Sequence, residues 1–147
     1  MKEPMHYVRK GLYDAISGNI SVDSASVLTY NRVPTMRTYP YIHIYSLSTN
    51  EVDQNSTTYN TEVITRIECC TRMVGDDGGD LQANNIVWSV INLLRTRSAG
   101  YPDLSAYNLK IYTSTINSIN YVREDVDDHT YIKGVIELSN KVMEINT

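Results

Sequence analysis

Phenylalanine is absent from this chain of 147 residues, tryptophan occurs once and cysteine only twice. The two thiols, Cys69 and Cys70, are adjacent, which offers neither a disulfide framework nor the C-x-x-C spacing of a zinc or redox site. They lie in a strand-like run, where successive side chains leave opposite faces, so their Cβ atoms point apart and mutual pairing is disfavoured. One thiol is expected in the core and the other on a solvated or subunit-facing surface. Long apolar runs are missing as well, and nothing approaches the ~18 residues that a membrane helix needs. The opening residues, Met1-Lys2-Glu3-Pro4-Met5-His6, lack the apolar stretch of a signal peptide. A soluble protein made in a cytoplasm is expected, leaving it only as part of a particle. Clustered positive charge is the last absence. The net charge is -4 and the basic residues are scattered, which removes the electrostatic footprint of a protein that grips nucleic-acid phosphates.

Tyrosine, by contrast, occurs twelve times. Its apolar ring carries a hydroxyl that needs a partner, so it suits half-buried positions and protein interfaces better than dry cores. A general preference for Tyr over Phe would give the same count, and composition alone does not separate the two.

The hydrophobic pattern predicts a mixed chain. Met5, Val8, Leu12 and Ile16 recur at helical spacing with Gly18 in the capping position. After a polar connector at residues 21–26, the run at 27–30 reads as a short strand. Pro34 and Pro40 then fix their own φ and push Val33 and Tyr39 toward extended backbone, so the segment between them is a stiffened loop leading into a strand at 41–47. Residues 48–61 are rich in Ser, Thr, Asn and Asp and bury little. They read as an arm that orders against a partner, with a long hairpin tip as the other option. From 62 to 73, Val63, Thr65, Ile67, Cys69, Thr71 and Met73 share one face, while Glu62, Arg66, Glu68 and Arg72 share the other with Ile64 and Cys70. The charged face can pair across strands within the subunit or with a neighbour.

Asp80 is placed to cap a helix running to about Arg97, with Ala83, Ile86, Val87, Val90, Ile91 and Leu94 as its core stripe and Trp88 at the edge of the core or at an interface. Residues 109–112 form a short strand, and 116–123 form another or its bent continuation. A last strand from about 130 to 143 carries Ile132, Ile136, Leu138 and Val142 on one face. The expected class is α+β, in the order α-β-β-β-α-β-β: one domain, with a mainly antiparallel sheet and two helices packed on one face.

Two acidic groups invite a metal reading: Asp76, Asp77 and Asp80, and Asp125, Asp127 and Asp128 with His129. Neither has the alternating oxygen ligands and distal glutamate of a calcium loop, and both fall at turns, where Asp and Gly serve conformation. His6, His43 and His129 lack the partners of a general base, and no nucleophile elbow or phosphate-cradling glycine loop is present. The expectation is a protein without enzymatic activity, metal or cofactor. The remote alternative is a metal-dependent hydrolase using the cluster from Asp125 to His129.

One resemblance covers nearly the whole chain. The first helix, Arg32-Val33-Pro34, Tyr39-Pro40-Tyr41-Ile42, the helix from Asp80, and Arg123 leading through Asp128-His129-Thr130-Tyr131-Ile132-Lys133-Gly134 into the last strand follow one another in a characteristic order. In that order the chain resembles the tail terminator, or tail-completion, proteins of long-tailed bacteriophages. The resemblance implies a virion protein, assembled in the host cytoplasm, that forms a hexameric ring on the head-proximal end of the tail tube. It would stop tube polymerisation and present a joining surface to the neck and capsid, while DNA passes through the channel without specific binding. Its partners would be itself, the major tail tube protein and neck proteins, with no membrane. A neck ring protein on the portal side is the alternative from the same assembly. The candidate interface residues are Arg32, Pro34, Arg37 and Tyr39 in the loop, Glu51, Asp53 and Tyr59 in the polar segment, Arg66, Glu68 and Arg72 on the charged face, and Asp127, Asp128 and His129 at the last turn.

Overall fold

The computed structural model describes residues 2–52, 59–74, 80–95 and 100–145. Asp53, Asp76, Asp77 and Arg97, named above, lie outside the described residues. Helix α1 (Met5–Ile16) buries Val8, Leu12 and Ile16, the stripe that helical spacing predicts. Pro4 lacks an N–H and therefore loses no bond at the helix start, and its carbonyl accepts from the Val8 amide at 2.9 Å. Beyond the last turn Gly18 takes a left-handed φ of 78°, the conformation that makes glycine the usual residue there.

The connector at 21–26 is not irregular. It folds into a small antiparallel hairpin of β1 (Ser21–Val22) and β2 (Ala25–Ser26), with Asp23 and Ser24 both at positive φ in its turn. A two-residue turn with two left-handed positions normally carries Asn-Gly or Asp-Gly. Asp-Ser gives a weaker signal, which is why the hairpin is missing from the expected order.

The remaining strands form one sheet in the order β3-β4-β5-β7-β6. β3 (Leu28–Tyr30) runs parallel to β4 (Tyr41–Val52), and all the other neighbours, β5 (Asn60–Val74), β7 (His129–Glu144) and β6 (Leu109–Val126), pair antiparallel. The class is α+β, as expected. One expectation is corrected. Residues 48–52 are strand and pair with 60–64, so these parts of the polar segment belong to the sheet rather than to a partner-seeking arm, while residues 53–58 lie outside the described residues. Thr49, Asn50, Glu51 and Val52 bury little, yet their backbone pairs with 60–63, which pairs in turn with β7, and that ladder orders these residues where burial would not. Of the two options for 109–123, the bent continuation is the one found: a single strand, β6, whose pairing shifts at Tyr112 and Asn117 interrupt its alternation.

Helix α2 (Asp80–Leu94) buries Ala83, Ile86, Val87, Val90 and Leu94. With α1 it covers one face of the sheet, where Ile42, Ile44, Val63, Ile67, Cys69, Ile136, Leu138 and Val142 join the helix stripes in a single core cluster. Each such side chain contributes about 1.5–3 kcal/mol by leaving water. Trp88 lies outside this core, 66 % exposed.

Gly134 fixes how closely α2 approaches. It lies opposite Cys69 on β5 and Tyr121 on β6, and a Cβ added there would stand 2.6 Å from Val87 Cγ2 and 3.1 Å from the Tyr121 ring. Val87 is β-branched and held in a helix, so relief requires moving α2 itself. Gly134→Ala is therefore expected to lower stability by about 1–3 kcal/mol through overpacking, read as a lower urea midpoint with an unchanged slope.

Candidate interaction surface

Among the described residues no helix covers the opposite face of the sheet, and its chemistry follows from register. Residues directly paired across strands share a face, so Tyr41, Cys70, Lys133 and Val122 form one transverse row, and Tyr45, Arg66 and Glu137 form another. Between them lies the row of His43, Glu68 and Val135. The Tyr45 hydroxyl donates to Glu68 at 2.6 Å, and Lys133 Nζ reaches the other Glu68 oxygen at 3.2 Å. Arg66 meets Glu137 at 3.4 Å. The alternating charges thus pair across strands of the same subunit. Exposed pairs of this kind contribute ~1 kcal/mol or less, so they shape the surface without holding the sheet together.

At one end of this face the loop of residues 31–40 folds over the strands. Asn31 anchors it, its side-chain amide donating to the Ile44 carbonyl at 3.0 Å while its own carbonyl lies 3.1 Å from the His43 ring. The Tyr39-Pro40 bond is cis. Tyr39 stacks at 5.1 Å from Tyr41 and 5.6 Å from Tyr131. The Arg72 guanidinium lies 5.0 Å over the Tyr39 ring, and that of Arg37 lies 5.7 Å over Tyr41. A cleft of about 430 Å³ opens among Arg37, Tyr39, Tyr41, Tyr131, Lys133 and Val122. Cys70 forms part of its wall, only 4 % exposed, so both cysteines are buried and the expected solvated thiol is not found. The alternation placed Cys70 on the outer face correctly. What covers it there is a loop thirty residues earlier in the chain.

The proposed interface residues divide into separate places. Arg37, Tyr39 and Arg72 come together, and Arg32 and Pro34 are exposed in the same loop. Asp127 and Asp128 form the exposed turn between β6 and β7, with Asp127 at positive φ, and His129 stands beside Tyr131 at 6.3 Å. Arg66 and Glu68 lie in mid-sheet. Glu51 and Tyr59 are at the opposite end, because Asn60 begins the strand that Val74 ends. At ~3.3 Å per residue the two ends of β5 are roughly 45 Å apart, too far for one small-molecule site. Alternation along the last strand sets Lys133 and Glu137 on its polar face, but neither they nor Tyr41 and Tyr131 were among the interface candidates, since only the register brings all four beside the charged face of β5.

The acidic turn is differently engaged than a metal site requires. Asp125 accepts a 2.8 Å bond from Thr130 and pairs with Arg123 at 3.6 Å, and Arg123 also reaches Asp80 at 3.8 Å. Among the described residues no three His, Cys, Asp or Glu side chains converge on a metal-sized site. Among the described residues, no helix is long and apolar enough to cross a membrane. Comparison with known proteins finds no family model that matches the chain and no curated protein with significant similarity.

Glu68 is the electrostatic centre of the outer face. Burial opposes its charge, but the bonds from Tyr45 and Lys133 outweigh burial and hold the carboxyl below its usual range. A depressed folded pKa contributes stability above the unfolded glutamate value of ~4.3, and that stability is lost as pH falls through the folded pKa. Glu68→Gln should therefore unfold at lower urea than the parent near neutral pH, with the two midpoints converging in acid. Burial also pushes both cysteine thiols up. An aromatic disulfide reagent at mildly alkaline pH should find no reactive thiol in the native protein and two after unfolding.

Proposed function

We propose that this chain is a structural virion protein, a tail terminator that caps the head-proximal end of a phage tail tube as a homo-oligomeric, hexameric ring and offers the neck its joining surface. The observation that carries the reading is the cluster of Tyr39, Tyr41, Tyr131, Arg37 and Arg72 on the helix-free face. It is built on the loop and strand entry through which the chain resembles that family. Tyrosine and arginine are the residue types enriched in protein interfaces and in their energetic centres. Glu51 and Tyr59, exposed near the far end of the same sheet, are the candidates for a second contact on the subunit. A ring requires two dissimilar surfaces on each subunit that meet head to tail, and the two ends of this face differ in composition. The net charge of -4 suits a channel wall that DNA passes without being held.

Negative-stain microscopy of lysates from phage lacking this gene tests the proposal. Overlong tubes of variable length beside unattached capsids are expected. Tails of normal length beside filled, unjoined heads would reassign the protein to the neck, and intact infectious particles would overturn the structural reading.

A further inference from the structure

The two edges of the sheet are finished differently. On one side β3 is only three residues long, a short edge of the kind that discourages further strand pairing. On the other side β6 runs for eighteen residues, and among the described residues no further strand of the sheet lies beyond it. Its first half carries pairing irregularities at Tyr112 and Asn117, and such bulges twist an edge away from new partners. From Ser118 to Val126 the pairing with β7 is regular. That bulge-free stretch holds Ile119, Tyr121, Val122 and Val126, each at least 39 % exposed. It contains neither proline nor lysine.

We propose that this edge pairs with the same edge of a second copy, antiparallel about a two-fold axis at Val122. An unpaired strand edge is satisfied by another extended backbone, and β6 of a second copy is one of equal length and identical exposure. Charge selects the direction. Parallel, in-register pairing would set Arg123 on Arg123, Glu124 on Glu124 and Asp125 on Asp125, each a like-charge contact that destabilises a strand pair. Antiparallel pairing about the midpoint of the regular stretch places Arg123 opposite Tyr121, Glu124 opposite Asn120 and Asp125 opposite Ile119. No carboxylate then faces a carboxylate, and each guanidinium meets an aromatic ring, twice by symmetry. The Val122 side chains meet at the axis. The product is a continuous ten-stranded sheet, two copies of the five-stranded one. An isologous contact closes at two copies, so this pair is a state of the free protein and does not rest on the ring reading.

Sedimentation equilibrium of the purified full chain, with two variants, tests the pairing. Wild type is expected to be a dimer, and Val122→Lys, which sets two ammonium groups together on the axis, is expected to sediment as a folded monomer with unchanged circular dichroism. Directly opposed Cβ atoms are about 4.5–5.5 Å apart, so Val122→Cys should form a covalent dimer under mild oxidation while Asn120→Cys, which faces Glu124, should not. A monomeric wild type overturns the proposal. So does an oligomer that Val122→Lys leaves intact, or equal cross-linking of the two cysteine variants.

Discussion

The pairing of β5 with β7 is the constraint on which the remainder of the molecule depends. Fifteen consecutive residue pairs run from Asn60–Met143 to Val74–His129 without an irregularity. A slip of one residue would turn every side chain to the other face. In the observed register Val63, Thr65, Ile67, Cys69 and Thr71 face the helices together with Asn140, Leu138, Ile136, Gly134 and Ile132. The same register sets Arg66 against Glu137 and leaves Lys133 diagonal to Glu68, so the outer charge pairs are consequences of the inner packing. Gly134 belongs to this argument as well. Its lack of a side chain leaves the space that Val87 fills, so α2 approaches the sheet closely there.

Where local pattern and tertiary environment agree, the fold was legible. The stripe from Ala83 to Leu94 and the alternation from Val63 to Thr71 could be read because each position's burial repeats with the period of its own element. Legibility failed where backbone pairing alone orders the chain. Thr49, Asn50 and Glu51 have little to bury, and their strand conformation follows from the ladder to Val63, Glu62 and Thr61. Asp23 and Ser24 turn a hairpin with residues that signal such turns weakly. In β6 the two bulges shift the phase of alternation, so the pattern alone left open whether 109–123 was one bent strand or two.

The candidate surface was legible by residue and not by arrangement. Arg37, Tyr39 and Arg72 were singled out separately, but their convergence needs the loop of residues 31–40 to fold onto β5, a contact between distant parts of the chain. Tyr131 and Lys133 join them through the β5–β7 register, which no single strand encodes. Conversely, Glu51 and Tyr59 share interface character with the loop residues yet stand a strand's length away. Sequence reading ranks side chains by chemistry, whereas topology decides which of them can act on one partner.

This sheet also separates stability from recognition. Nearly all the large buried side chains lie between the sheet and its helices, while the outer face carries ion pairs of small energetic weight and rings and guanidinium groups that retain exposed surface. Changes on that face can alter contacts at little cost to folding, a freedom suited to a protein whose partners select its surface. The edges obey the same division. Bulges protect β6 only up to Asn117, and apolar exposure increases beyond that point, in the stretch from Ile119 to Val126. The stretch beyond the bulges still carries Arg123, Glu124 and Asp125, and charges on an edge act on the direction of pairing as well as on its strength: they oppose a parallel neighbour of the same sequence and tolerate an antiparallel one, so the edge is selective where the bulged half is closed.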